Sequence, residues 1–121
     1  MITLRNRVHM FTHPKNKEPL IEFFATLLGC KMMGAPSSLP QPILAFSFAN
    51  GSSISVEFTE DVVDALYEQQ ARHGAWLELE TDEPLTLKEK IRISGYHQFE
   101  YTEGFFYFQI PGGQVMRIKL P

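Results

Sequence analysis

The chain has 121 residues, 44% hydrophobic and 21% charged, with a net charge of −3, a composition suited to one compact core. That weak negative charge, with no Lys/Arg cluster, excludes general nucleic-acid binding. No stretch is long or apolar enough to span a membrane, Met1-Ile2-Thr3-Leu4 lacks the layout of a signal peptide, and the lone Cys30 has no internal partner, so a cytoplasmic protein is expected.

The first predicted element is a strand from Arg7 to Thr12, in which Val8, Met10 and Thr12 alternate with Arg7, His9 and Phe11. A helix follows, its stripe formed by Leu20, Phe23, Phe24, Leu27 and Leu28. Asn16 is the expected cap, Pro19 is tolerated in the first turn, and Gly29 supplies a left-handed stop. Lys31-Met32-Met33 and a Pro/Ser-rich loop from Pro36 to Pro42 lead into strands from Ile43 to Ala49 and Ser53 to Phe58. Asn50-Gly51 between them signals a hairpin. In the latter strand Ile54, Val56 and Phe58 face one way, and Ser53, Ser55 and Glu57 the other.

Thr59 to Gly74 is read as a linker helix, capped by Thr59, with Glu60, Asp61 and Asp64 at its positive end and Arg72 and His73 at its negative end. A strand from Trp76 to Thr81 then sets Leu77, Leu79 and Thr81 against Trp76, Glu78 and Glu80. A shorter helix carries Pro84 near its start, Leu87 and Ile91 four apart, and Gly95 at its end. Three aromatic-rich strands follow, His97 to Thr102, Phe105 to Ile110 and Val115 to Leu120, with Pro111-Gly112-Gly113 turning between the last two. The order strand, helix, three strands thus occurs twice in one domain spanning 1–121, in about residues 4–58 and 75–121, with the linker at about 59–74.

Several side-chain groups have chemical potential. Glu78 and Glu80 point to the same side, where mutual repulsion makes a general base, or they form a solvated strand face or partners for Arg7, Arg117 and Lys119; the latter reading is preferred. Trp76 and Phe11, with Tyr101 or Tyr107, form either a slot for a flat ligand or plain packing. Gly112-Gly113 opens no helix and is read as a turn rather than a phosphate cradle. No nucleophile triad is expected, because the serines cluster in turns without a nearby His-Asp pattern. Cys30, beside a helix stop, is read as structural; His13, His73 and His97 fall at element ends as surface or capping residues.

The repeated order, the segment LIEFFATLLG from Leu20 to Gly29 and the ending FYFQIPGGQVMRIKL together resemble the vicinal oxygen chelate superfamily, the group of glyoxalase I, bleomycin-resistance proteins and extradiol dioxygenases. The family's ending reads Phe-x-Asp-Pro-Asp-Gly-Asn-x-x-Glu. This chain keeps Phe108, Pro111 and Gly113, loses both Asp, and has Arg117 for the final Glu.

The resemblance implies an α+β fold of two βαβββ modules forming a U-shaped cleft. The metal-ligand positions of the metal-dependent members fall on Arg7, Glu57, Trp76 and Arg117, of which only Glu57 can bind a metal. A guanidinium has no lone pair to donate and repels a cation. No cofactor is therefore expected, and Arg7 and Arg117 are expected to bracket Glu57 in the ion's stead. A non-standard site of His9 and Glu57 with Glu78 or Glu80 is the alternative; otherwise His9 is a hydrogen-bonding or ligand-contacting side chain. Cleft-lining residues are Arg7, His9, Phe11, Ser55 and Glu57 from the first module and Trp76, Glu78, Glu80, Arg117 and Lys119 from the second. The function implied is metal-free binding of a small molecule, with a metal-dependent lyase, isomerase or dioxygenase as the alternative, in a homodimer with no membrane or nucleic-acid partner.

Overall fold

The computed structural model describes residues 1–35, 43–64 and 74–121. The chain divides into two compact units, residues 1–63 and 64–121. The Pro36–Pro42 loop and residues 65–73 of the expected linker helix lie outside the described residues.

In the first unit β1 (Arg7–Thr12) is followed by a short 3-10 turn (Pro14–Asn16), α1 (Lys17–Ile21), and β2 (Lys31–Ala35), β3 (Ile43–Ser47) and β4 (Ser53–Phe58). The sheet order is β1-β4-β3-β2, with β1 parallel to β4 and the other pairs antiparallel. Val8, Met10, Ile54, Val56, Leu44 and Phe46 share the face packed under the helical segment, where the Phe24 ring stacks on Phe46 at 4.6 Å. The alternating pattern therefore dictates which face is buried, as the period of two requires.

The helix departs from the expected one in both halves. Asn16 makes no side-chain cap; it is buried, and its amide Nδ2 donates to Thr12 Oγ1 at 2.9 Å. His13 does the capping instead, its Nδ1 accepting from Lys15 N–H at 3.0 Å. After Ile21 the helix widens into a π-helical stretch over Glu22–Leu27, with Leu28 N–H reaching Phe23 C=O at 3.0 Å. This turn drives both Phe23 and Phe24 fully inside and leaves Leu27 and Leu28 half-buried. Gly29, at φ +74°, ends the helix in the left-handed region as expected, and Cys30 N–H closes onto Phe24 C=O at 2.8 Å.

The hairpin at Asn50-Gly51 forms, with Gly51 alone carrying a positive φ in the turn, so it is a three-residue loop rather than a primed two-residue turn. Asn50 Oδ1 holds it by accepting from Ser52 N–H and Oγ–H, at 3.1 and 2.6 Å. Thr59–Asp64 forms no helix: Asp61 N–H meets Thr59 Oγ1 at 3.4 Å in a local turn, the competing use of a threonine hydroxyl.

The second unit repeats the plan with β5 (Trp76–Leu79), α2 (Pro84–Ile93), β6 (Gln98–Phe99), β7 (Phe105–Gln109) and β8 (Val115–Lys119). Its order is β5-β8-β7-β6, again with first and last strands parallel. The fold is α+β, two βαβββ modules. Ile91 of α2 is fully buried, as are Met116, Phe108 and Ile118 to within 1%. Lys90 and Arg92 in the last turn of α2 complement the helix dipole. The expected strand from His97 to Thr102 shrinks to Gln98–Phe99, because Thr102 leaves the ladder to hydrogen-bond Tyr107 through its hydroxyl at 2.6 Å. Among the described residues no helix is long and apolar enough to cross a membrane.

Cys30 is buried, and desolvation pushes its thiol from 9.0 up to about 11. Thiolate is therefore scarce at neutral pH, in keeping with a structural role. The first core depends on Phe24, fully buried. Phe24→Ala is expected to cost about 3–5 kcal/mol, read as a lower midpoint in urea unfolding with an unchanged slope; a loss under about 1 kcal/mol would show that the ring does not carry this core.

Candidate functional site

In the first unit the chemistry lies on the sheet face opposite the helical segment. Parallel pairing sets His9 directly across from Ser55 and Phe11 across from Glu57. His9 bridges the two β4 side chains: its Nδ1 is 2.6 Å from Ser55 Oγ and its Nε2 is 3.0 Å from Glu57 Oε1. A carboxylate only accepts, so Nε2 carries the hydrogen; in the neutral ring Nδ1 then accepts from the Ser55 hydroxyl. Phe11 meets the imidazole edge-on at 4.9 Å and restricts its rotation. The His9 and Glu57 side chains are 38% and 24% exposed, so the group is open to solutes. Arg7 is exposed one step back on the same face.

This row was not legible as a unit in the sequence. Ser55 is expected on the strand face shared with Glu57, but no nucleophile triad is expected because the serines cluster in turns without a nearby His-Asp pattern; the structure pairs Ser55 with His9, 46 positions away. Only the parallel register brings them together.

In the second unit the centre is Arg117. Its Nε–H donates to Glu78 Oε1 at 2.7 Å and its Nη1–H to Tyr107 Oη at 3.0 Å. Glu78 and Tyr107 are its direct neighbours on β5 and β7. The guanidinium carbon is 3.7 Å from the centre of the Trp76 ring and 3.8 Å from that of Phe105, a cation flanked by aromatic faces. Tyr107 is 1% exposed and also touches the rings of Phe99 and Tyr101 at 5.6 and 5.5 Å. Desolvation pulls the Arg117 guanidinium down, but hydrogen bonds to Tyr107 and Glu78 outweigh it and the net direction is up. The cation is permanent.

Glu78 is engaged by Arg117, the ion-pair partner that the sequence reading prefers, and Glu80 lies past the end of β5. The slot expected beside Trp76 already holds the Arg117 side chain. Tyr107 and Phe105 are the partners that sequence reasoning did not assign to Arg117; the cross-strand alignment of Tyr107 with Arg117 was the available signal. Lys119 is exposed at the end of β8, outside this group.

In the second unit Glu78 is committed to Arg117, a guanidinium with no lone pair for a cation, and in the first both ring nitrogens of His9 are in hydrogen bonds, one of them to Glu57. Among the described residues no group of three or more His, Cys, Asp or Glu is placed to hold an ion.

No protein-family model matches the chain, and no curated protein is recognisably similar to it. Solved structures are similar over nearly all of it. A variant of the fosfomycin resistance protein FosX from Listeria monocytogenes, complexed with Mn(II) and dihydroxypropylphosphonic acid, shares 14% identity at a TM-score of 0.71, covering 100% of this chain and 94% of that one. The antibiotic-binding protein TnmS3 from a Streptomyces species shares 13% at 0.67, covering 99% and 97%. A glyoxylase/bleomycin resistance protein/dioxygenase domain from Frankia sp. EAN1pec shares 12% at 0.73, covering 99% and 93%. At such identities the likeness carries the fold and leaves the chemistry to the residues themselves. This chain has the fold of these fosfomycin resistance, antibiotic-binding and glyoxylase/bleomycin resistance/dioxygenase structures.

Proposed function

We propose that this protein binds a small organic molecule without a metal ion, through the sheet face of the second module that carries Trp76, Glu78, Glu80 and Arg117, the first module separately offering a face with Arg7, His9, Phe11, Ser55 and Glu57. The observation that carries this reading is the Arg117 guanidinium, hydrogen-bonded to Glu78 and Tyr107 between the Trp76 and Phe105 rings. A fixed cation stands where the resemblance puts a metal ligand. It leaves guanidinium N–H groups for a carboxylate or carbonyl of the ligand, and Trp76, still 43% exposed, has ring surface for a flat portion.

The Arg-Glu-Arg arrangement is recast in this proposal. Within the first module the partner of Glu57 is His9, and within the second the partner of Arg117 is Glu78. Glu57, Glu78 and Arg117 each have an opposite or hydrogen-bonding neighbour from their own sheet, so none of the three needs an ion to offset it. The similarity to an antibiotic-binding protein supports a ligand of that general kind. A metal-dependent lyase, isomerase or dioxygenase is the second reading, favoured by the contact of His9 with Glu57, two donors already 3.0 Å apart.

Elemental analysis after dialysis against Ni, Zn, Mn and Fe(II), with a melting curve for each, separates the two. The expected result is substoichiometric metal and no rise in melting temperature; close to one ion per chain with a higher melting temperature would establish the second reading. Trp76 is the single tryptophan, so its fluorescence reports on its own surroundings. Titration with planar, carboxylate-bearing aromatic molecules is expected to give saturable quenching, weakened about tenfold or more in Arg117→Ala. Quenching that is linear, or identical in the variant, would remove Arg117 from the site. The binding form is proposed to be a cytoplasmic homodimer, and light scattering that gives a monomer at high concentration would refute it.

A further inference from the structure

We propose that Ser55 is an acyl-accepting nucleophile, with His9 as its base and Glu57 as the positioning residue, acting on small activated esters with an apolar acyl group. The argument begins with the two hydrogen bonds of His9, which engage opposite nitrogens of the ring. A nucleophile–base contact of 2.6 Å and a base–orienter contact of 3.0 Å are both within the reach that such a relay requires. Glu57 fixes the tautomer that leaves Nδ1 free to take the hydroxyl proton. Val8 C=O, the other acceptor near Ser55 Oγ, is farther away at 3.5 Å, so the hydroxyl is directed to the imidazole.

The surroundings select the substrate. The row through His9 and Ser55 continues across the sheet to Ala45 and then Met33, which is 53% exposed. An acyl group lying there meets apolar surface. Arg7, on the same face and about 6.6 Å back along β1, has the length to meet the carbonyl oxygen as it becomes negative. Backbone donors play no part in that, because β4 lies between β1 and β3 and its N–H groups serve the ladders.

In the reaction Ser55 Oγ attacks the ester carbonyl carbon while its proton passes to His9 Nδ1. The tetrahedral adduct collapses, the C–O bond to the leaving group breaks, and the leaving oxygen takes that proton. Water then attacks the acyl-serine ester, giving a proton to His9 Nδ1, and collapse returns it to Ser55 Oγ with release of the carboxylic acid. The sum is ester plus water to acid plus alcohol, with no oxidant or metal.

The test uses the full chain with p-nitrophenyl acetate, following p-nitrophenolate release and locating the acetyl group by mass spectrometry of peptides. The expected result is acetyl on Ser55, with release falling about 100-fold or more in Ser55→Ala and His9→Gln. Glu57→Gln is expected to lower kcat about 10-fold or more at unchanged KM, with partial rescue by Glu57→Asp, a split that a merely structural role would not produce. Acetyl confined to lysines in the wild-type protein overturns the proposal whatever the variants do, as does undiminished release from a folded Ser55→Ala. If Ser55→Ala fails to fold, the labelling site in the wild-type chain decides. Retained ligand quenching of Trp76 without acylation would remove this chemistry and leave the binding reading intact.

Discussion

Each module depends on the parallel pairing of its first strand with its last. Every other strand contact is antiparallel and local, but β1 with β4 and β5 with β8 join segments separated by most of a module. That pairing sets the last strand in the interior of the sheet, with the first on its flank and a covering helix over one face. It also decides which distant residues meet. His9 reaches Ser55 and Glu57, and Glu78 reaches Arg117, only because these registers hold; a slip of one residue would send each side chain to the helix-covered face.

The two modules use this common frame for different chemistry. On the first sheet the row through His9 is short, polar and half-exposed, a hydrogen-bonded series whose proton positions follow from the carboxylate at its end. On the second the row is aromatic, with Tyr107 buried, Trp76 exposed and one permanent cation among rings. The difference traces to β7, whose Phe105 and Tyr107 point to the same side as Arg117, where the equivalent strand of the first module, β3, offers Ala45. Fold and topology are thus shared, while side-chain volume decides whether a polar group stays accessible or is enclosed.

Much of the fold was legible because it rests on periodicity. The alternation of Val8, Met10 and Thr12 with Arg7, His9 and Phe11, and of Ile54, Val56 and Phe58 with Ser53, Ser55 and Glu57, assigned faces that the structure reproduces. Boundaries were less legible where a polar side chain had two uses. Asn16 looked like a cap and instead reaches back to Thr12, Thr59 looked like a cap and instead closes a turn, and Thr102 exchanges a place in a strand for a bond to Tyr107. The candidate site was legible as a set of residues but not as pairs. Facing can be read from alternation, whereas partners across parallel strands need the register, which local sequence does not contain.

The long-range pairing also orders events during synthesis. The first sheet is closed by β4, so its strands can assemble once Phe58 has emerged. The second cannot close until β8 emerges, and until then β5, with the exposed Trp76, has no neighbour to cover its edge. Because loop closure precedes the contacts that reward it, each module stays exposed to association with other chains until its last strand pairs with its first. In the second module the strand bearing Arg117 is thus both the last piece of the aromatic row and the latch that ends this vulnerable interval.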